Sequence, residues 1–130
     1  MKLLHPELSQ TLEKCFEGVY KKLGYGFLEK LYEKALLLEF DSLKIKYFLK
    51  PKLDVFYNGL VIGQFYPDVV VEERIIVEIK SIEALRSVHE VQLLNYLSAT
   101  RLELGYLVNF GPHLDVIRRV FANDRKHRKR

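Results

Sequence analysis

Three charged side chains, Asp68, Glu78 and Lys80, lie within the two otherwise apolar strands of the stretch YPDVVVEERIIVEIK at residues 66–80. Charged groups are rarely buried without partners, because the loss of their hydration is costly. Two carboxylates and an ammonium group at this spacing could bind a divalent cation and act on a phosphate. The alternative is that all three are ordinary polar residues on the solvent-facing side of an antiparallel sheet.

The spacing predicts how these residues meet. Side chains alternate between the two faces of a strand, so Glu78 and Lys80 share a face with Ile76. If a hairpin turns at Glu73, Asp68 is the cross-strand neighbour of Glu78, with Cβ atoms about 4.5–5.5 Å apart. Two such carboxylates repel each other, and Mg²⁺ or Mn²⁺ would remove the repulsion by binding both. Lys80 could then orient an attacking water or stabilise charge on a phosphate.

Three segments with helical spacing of apolar residues predict the helices that must support this site. The first helix begins at Pro6 and ends at Gly24. The second covers about residues 27–42 and the third about residues 87–100. The buried stripe predicted for the second helix consists of Leu28, Leu31, Ala35 and Leu38.

The remaining apolar segments predict strands. The Asn58-Gly59 pair between KLDVFY and LVIGQFY is a strong signal for a two-residue hairpin, because both residues tolerate positive φ. RIIVEIK is a third strand, and LGYLVNF and LDVIRRVF follow the third helix. The predicted order is α-α-β-β-β-α-β-β, an α/β (α+β) fold with a mixed central sheet flanked by helices.

Composition narrows the class of protein. With 130 residues, of which 48% are hydrophobic and 29% charged, the chain is typical of one soluble globular domain, expected over residues 1–122. The sequence contains no apolar run long enough to span a membrane and no signal-peptide pattern at the start, so we expect a cytoplasmic protein. Cys15 is the only cysteine, which excludes an intramolecular disulfide and a Cys-rich metal site.

The net charge of +4 is concentrated in RKHRKR at residues 125–130, which carries five of the 21 Lys and Arg residues. Such a basic segment can contact phosphates, and Lys126 and Arg128 are the residues predicted to do so. The alternative is that residues 123–130 form a solvated, disordered tail.

An ordered set of short motifs covers about residues 7–121. GFLEKLY at residues 26–32 has the pattern G-x-x-E-x-x-Y, and it is followed by PD, EIK, HEVQLLNYL and LVNFG. The set resembles the GxxExxY protein family, a compact branch of the PD-(D/E)XK nuclease superfamily. The resemblance implies a restriction-endonuclease-like core and a nuclease that needs Mg²⁺ or Mn²⁺. It also implies a nucleic-acid substrate, with DNA expected, and leaves a homodimer open.

The resemblance also implies roles for particular residues. Asp68, Glu78 and Lys80 match the catalytic D, E and K of the superfamily. Glu29 matches an acidic residue that many members contribute from the first core helix, here as a further metal ligand and catalytic residue. Gln92 matches the catalytic glutamine of the helix after the E-x-K strand.

Three aromatic or imidazole side chains are predicted to contact substrate. Tyr32 lies one helical turn after Glu29, and His89 and Tyr96 share one helix stripe with Gln92. Each has a structural alternative: Tyr32 as a core aromatic with a satisfied hydroxyl, and Tyr96 and His89 as members, with Gln92, of an interfacial polar stripe in which His89 is a hydrogen-bonding residue.

The alternative to a nuclease is a noncatalytic nucleic-acid-binding or protein-interaction module on the same fold, since a fold does not define a function. The intact set of Asp68, Glu78 and Lys80 favours catalysis. Metal-dependent cleavage, as opposed to metal-independent binding, distinguishes the two.

Overall fold

The structure is a computed structural model that describes residues 4–126. The helices are α1 (Pro6–Leu23), α2 (Glu29–Ser42) and α3 (Ser87–Ala99). The strands are β1 (Tyr47–Leu49), β2 (Leu53–Tyr57), β3 (Leu60–Phe65), β4 (Val69–Val71), β5 (Ile75–Lys80), β6 (Leu104–Phe110) and β7 (Leu114–Val120). A short 3-10 helix covers Asn123–Arg125.

Five strands form one mixed sheet in the order β1-β4-β5-β6-β7. Neighbours in it are antiparallel except β5 and β6, which are parallel and are connected through α3. Strands β2 and β3 form a separate ribbon, closed by the predicted turn at Asn58 and Gly59, which both have positive φ. The predicted fold class is confirmed. The structure adds two short strands, β1 and β4, to the predicted order.

The sheet has a hydrophobic core on each face. Val77 and Ile79 of β5 pack with α1 and α2, whereas Ile76 of the same strand packs with Leu93 of α3. Side chains alternate along a strand, so the face that carries Ile76 also carries Glu78. The site therefore lies on the α3 face of the sheet, as the alternation in the sequence predicts.

Helix α1 begins and ends as predicted. Pro6 occupies the start of the helix, and Gly24 ends it with φ of 68°, a conformation that costs glycine little. Cys15 is buried among core residues, and burial raises the pKa of its thiol to about 11. The thiol is therefore protonated near neutral pH, which agrees with a packing role.

The buried stripe predicted for α2 is wrong except at Ala35, which packs against the core. Leu28 and Leu38 are 78% and 67% exposed, whereas Tyr32, Leu36 and Phe40 are fully buried. Both sets recur at helical spacing, so periodicity alone does not choose between them. The packing partner decides which set is buried, because Phe110 of β6 stacks on the Tyr32 ring with 4.5 Å between the ring centroids.

Residues 123–126 pack on the body of the protein, so the prediction that they are disordered is wrong. Lys126 is only 5% exposed, and its ammonium donates hydrogen bonds to the carbonyls of Thr100 (2.9 Å) and Leu102 (2.8 Å). A cation is favoured here because Thr100 ends α3, where the helix dipole is negative. Lys126 therefore serves the fold rather than a phosphate, and Arg128 lies outside the described residues.

We expect Lys126→Met to lower the melting temperature on the order of 5–10 °C, because it leaves two buried carbonyls without a charged donor. Deleting residues 127–130 should instead weaken nucleic-acid binding and flatten its dependence on salt, since fewer counterions are released. Thermal unfolding and binding at several salt concentrations test the two changes. An unchanged salt dependence would remove the tail from the nucleic-acid interface.

Candidate metal and nucleic-acid site

The hairpin formed by β4 and β5 has the predicted register. Val69 lies opposite Val77, so Asp68 lies opposite Glu78 at the next position. The Asp68 N–H donates a hydrogen bond to Glu78 Oε2 at 3.3 Å. The turn between the two strands has positive φ at Glu72 and Glu73. The predicted pairing of the two carboxylates is thus confirmed as geometry.

The Asp68 carboxylate is held by the backbone on which the site is built. Its Oδ2 accepts a hydrogen bond of 2.7 Å from the Ile79 N–H. The backbone carbonyl of Asp68 accepts a hydrogen bond of 3.0 Å from the Lys50 N–H, and this bond continues the pairing of β1 with β4. Pro67, which has no N–H, precedes Asp68, where β4 has not yet begun. The carboxylate is therefore fixed beside Glu78 by main-chain bonds on both sides.

Glu78 carries the largest electrostatic perturbation of the site. The side chain is 9% exposed, and burial raises the pKa of its carboxyl to about 9, helped by the negative charge of Asp68 and a hydrogen bond between the two carboxyl groups. Lys80 opposes this rise only weakly. Near neutral pH the pair of carboxyl groups therefore holds a proton unless another cation takes its place.

Glu29 lies at the first position of α2 and is exposed. Partial loss of hydration raises the pKa of its carboxyl, and the charge of Asp68 adds to this, while Lys80 and Lys50 lower it. Glu29 therefore experiences the field of the site. Within residues 4–126, however, no three His, Cys, Asp or Glu side chains are grouped closely enough to bind one ion. Its role as a further ligand stays a prediction.

Lys80 ends β5 and is half-buried on the same face as Glu78. Its pairing partner in the parallel strand β6 is Asn109. The ammonium group lies near enough to lower the pKa values of both Glu78 and Glu29. The structure thus brings the predicted catalytic lysine to the carboxylate pair.

Helix α3 forms one wall of the site. The Tyr96 ring stacks on Phe65 at 4.1 Å, with 8° between the planes. Burial raises the pKa of its hydroxyl, with contributions from the charges of Glu78 and Asp68. Tyr96 is therefore close to the carboxylate pair and fixed in orientation by its stacking partner. Gln92, one turn earlier, is exposed on the same stripe.

His89 has a structural role at the start of α3. Its Nδ1 accepts a hydrogen bond of 2.9 Å from the Arg86 N–H, closing a capping box. This agrees with the hydrogen-bonding alternative for His89. A contact of His89 with substrate stays a prediction.

Tyr32 is a core residue, and the prediction that it contacts substrate is wrong. Its side chain has no exposed surface. The hydroxyl donates to the Gly24 carbonyl at 2.5 Å and accepts a hydrogen bond of 3.3 Å from the Phe27 N–H. Tyr32 therefore fastens the connection between α1 and α2, which ends one residue before Glu29.

Two features of the site were missed in the sequence. The ammonium group of Lys50 donates hydrogen bonds to both carboxylate oxygens of the buried Glu33, each at 3.2 Å. Lys50 directly follows β1, so this contact joins the end of β1 to α2, the helix that begins with Glu29. Asn109 is buried at the end of β6 and bonds to the chain just after Lys80. A polar residue inside the apolar strand LGYLVNF was the available signal for Asn109. No local pattern pairs Lys50 with Glu33.

The donor set at Asp68 and Glu78 fits a hard divalent cation. Both side chains offer only oxygen, their carboxyl groups are hydrogen-bonded to each other, and that of Glu78 is poorly hydrated. Magnesium sites often use one or two carboxylates and complete their coordination with water and substrate phosphates. Two carboxylates are therefore a sufficient protein contribution for Mg²⁺ or Mn²⁺.

Comparison with known families identifies the superfamily of the chain. The profile of the PD-(D/E)XK nuclease superfamily matches residues 6–120, so the chain belongs to that superfamily. Searches of curated proteins and of solved structures gave no match. Nucleases of this superfamily act on nucleic acid and generally use divalent metals. None of the three helices within residues 4–126 is long and apolar enough to cross a membrane.

Proposed function

We propose that this protein is a divalent-metal-dependent phosphodiesterase that hydrolyses nucleic acid, with DNA as its substrate. The observation that carries the proposal is the pair formed by Asp68 and Glu78. A buried carboxyl group such as that of Glu78, which keeps its proton beside the charge of Asp68, is costly for stability, and a binding site for a cation accounts for this arrangement. Lys80 on the same face supplies the third element that the reaction needs.

Asp68 and Glu78 would hold Mg²⁺ or Mn²⁺, and the ion would lower the pKa of a water molecule and neutralise charge on the phosphate. The Ile79 N–H keeps the Asp68 carboxylate in the orientation needed for binding. Lys80 positions the attacking water and stabilises negative charge on the phosphate oxygens. The ring of Tyr96 borders the site and limits the approach of substrate from the α3 side.

The experiment that tests the function is incubation with labelled single- and double-stranded DNA and RNA, in Mg²⁺, Mn²⁺ or EDTA. We expect cleavage of DNA that depends on metal and stops in EDTA. The matched control is Asp68→Asn, which has nearly the same size and one negative charge fewer. Binding without cleavage in every metal would favour the noncatalytic module instead.

We expect Glu29→Gln and Gln92→Ala to lower turnover while the thermal melt stays nearly unchanged. Both residues are exposed, so neither contributes much to the core. Loss of a polar group that contacts substrate or a metal-bound water should cost roughly 10–100-fold. The measurements are single-turnover cleavage rates and circular-dichroism melts. Wild-type turnover with a lower melting temperature would assign these residues to structure.

Two further predictions accompany the proposal. Sedimentation of the full chain tests whether the protein forms a homodimer. A cytoplasmic location is open to measurement by fractionation of cells that express the protein.

A further inference from the structure

The chain leaves the sheet directly after Lys80, and one buried side chain holds it there. Asn109 Nδ2 donates a hydrogen bond to the Ile82 carbonyl, and Asn109 Oδ1 accepts one from the Ile82 N–H, each at 3.0 Å. The carboxamide thus pairs with both backbone groups of Ile82. Because Asn109 is also the pairing partner of Lys80, the two bonds extend the contact between β5 and β6 beyond the end of β5.

The contact is tightly packed on the side that faces Gly111. A Cβ atom at Gly111 would lie 2.6 Å from the Ile82 carbonyl oxygen and 2.7 Å from Asn109 Nδ2. Tyr20 also holds this segment, because its hydroxyl donates a hydrogen bond of 2.6 Å to the Gly111 carbonyl. The contact between Asn109 and Ile82 is therefore supported from the Gly111 side, where Tyr20 holds the chain.

The residue between Lys80 and Ile82 connects this segment to α2. Ser81 Oγ donates a hydrogen bond of 2.8 Å to the Phe27 carbonyl, two residues before Glu29. The chain at residues 81–82 is thus bonded to β6 through the Asn109 carboxamide and to the connection that precedes α2 through the Ser81 hydroxyl. These bonds hold the chain directly after Lys80.

We propose that Asn109 is a positioning residue, which acts through Ile82 to hold Lys80 at the correct distance from Asp68 and Glu78. The proposal rests on the proposed nuclease function. A lysine at the last residue of a strand has a long, flexible side chain, and its reach depends on where the backbone stops. A displacement of about 1 Å at a catalytic group can cost on the order of 10²-fold in rate.

The decisive experiment is a double-mutant cycle between Asn109→Ala and Lys80→Ala. We expect Asn109→Ala to lower turnover roughly 30–100-fold while the affinity for Mn²⁺ changes less than about twofold. In the Lys80→Ala background, Asn109→Ala should cause no further loss, because the group that it positions is already absent. A purely structural role would lower turnover by the same factor in both backgrounds.

Two controls accompany the cycle. Asn123→Ala removes an amide that donates to the Arg101 carbonyl beyond the other end of β6, and it should leave turnover unchanged. Asn109→Asp keeps the volume of the side chain but loses the donor to Ile82. It should show the same loss of turnover and the same metal affinity as Asn109→Ala. If Asn109→Ala folds poorly, Asn109→Asp takes its place in the cycle.

Amide hydrogen exchange tests the contact without reference to catalysis. Exchange at Ile82 should accelerate in Asn109→Ala, which removes the acceptor of the Ile82 N–H, but not in Asn123→Ala. Additive losses in the cycle, or unchanged exchange at Ile82, would overturn the positioning role and leave the proposed function in place. Absence of cleavage by the wild type with every nucleic acid and metal would overturn the proposed function, and the positioning role with it.

Discussion

Asp68→Asn should abolish metal-dependent cleavage and leave the metal-free protein at least as stable as the wild type. The substitution removes the negative charge beside the buried Glu78, while the amide oxygen can still accept the Ile79 N–H. Loss of a metal ligand should remove several kcal/mol of transition-state stabilisation, which corresponds to about 10³-fold or more in rate. The rise in melting temperature on addition of Mg²⁺ or Mn²⁺ should shrink with it.

Lys80→Ala provides the contrast to Asp68→Asn. We expect it to retain most of the metal affinity and to lose roughly 10²–10³-fold in turnover, because Lys80 acts on charge that develops during the reaction. Lys14→Ala, which changes an exposed lysine of α1, is the matched control and should behave as the wild type. Calorimetric titration with Mn²⁺ and single-turnover assays measure the two effects separately.

The outcome that contradicts this site is specific. If the wild type, in the presence of substrate, binds Mn²⁺ no more tightly than Asp68→Asn, the two carboxylates do not form a metal site. A small and featureless effect of Asp68→Asn would then support an ordinary polar face of the sheet.

The second large effect is on stability as a function of pH. The carboxyl of Glu78 has a pKa of about 9 in the folded protein, above the ordinary value of 4.5. Between these values the folded protein keeps a proton that the unfolded chain has released. The contribution of Glu78 to stability is therefore complete below about pH 4.5 and is lost progressively as the pH rises toward 9.

Glu78→Gln should remove this contribution to the pH dependence, because glutamine is neutral in both states. In metal-free buffer, its melting temperature should fall less than that of the wild type between pH 5 and pH 9. Glu73→Gln, at the exposed turn of the same hairpin, is the matched control and should keep the wild-type slope. Parallel slopes for the wild type and Glu78→Gln would contradict a buried, protonated Glu78.

Binding of metal should depend on pH for the same reason. A cation at Asp68 and Glu78 must replace the shared proton, so the apparent affinity for Mg²⁺ or Mn²⁺ should rise as the pH rises. Calorimetry in buffers of different ionisation enthalpy should detect release of a proton on binding. Binding without proton release would place the cation elsewhere.

Local rules of the sequence were sufficient for the centre of the site. The alternation of side chains and the tight turn near Glu73 place Asp68 opposite Glu78, and the observed register of β4 and β5 agrees. The same kind of information located Gly24 and the Asn58-Gly59 turn, where positive φ is needed. These features depend on residues that are close together in the chain, so the pattern of residue types contains them.

The surroundings of that centre depended on residues that are distant in the chain. Two stripes of α2 have helical spacing, and Tyr32 is buried rather than its neighbour Leu31 because Phe110 stacks against its ring. Lys126 is buried because the carbonyls of Thr100 and Leu102 accept hydrogen bonds from its ammonium group. The composition of the basic tail does not show this contact. Asn109 meets Ile82 across the parallel strands. Each of these contacts forms only when the chain has folded, because a hydrogen bond or a ring stack needs both partners in place. The periodicity of a segment describes only the partner that lies in that segment.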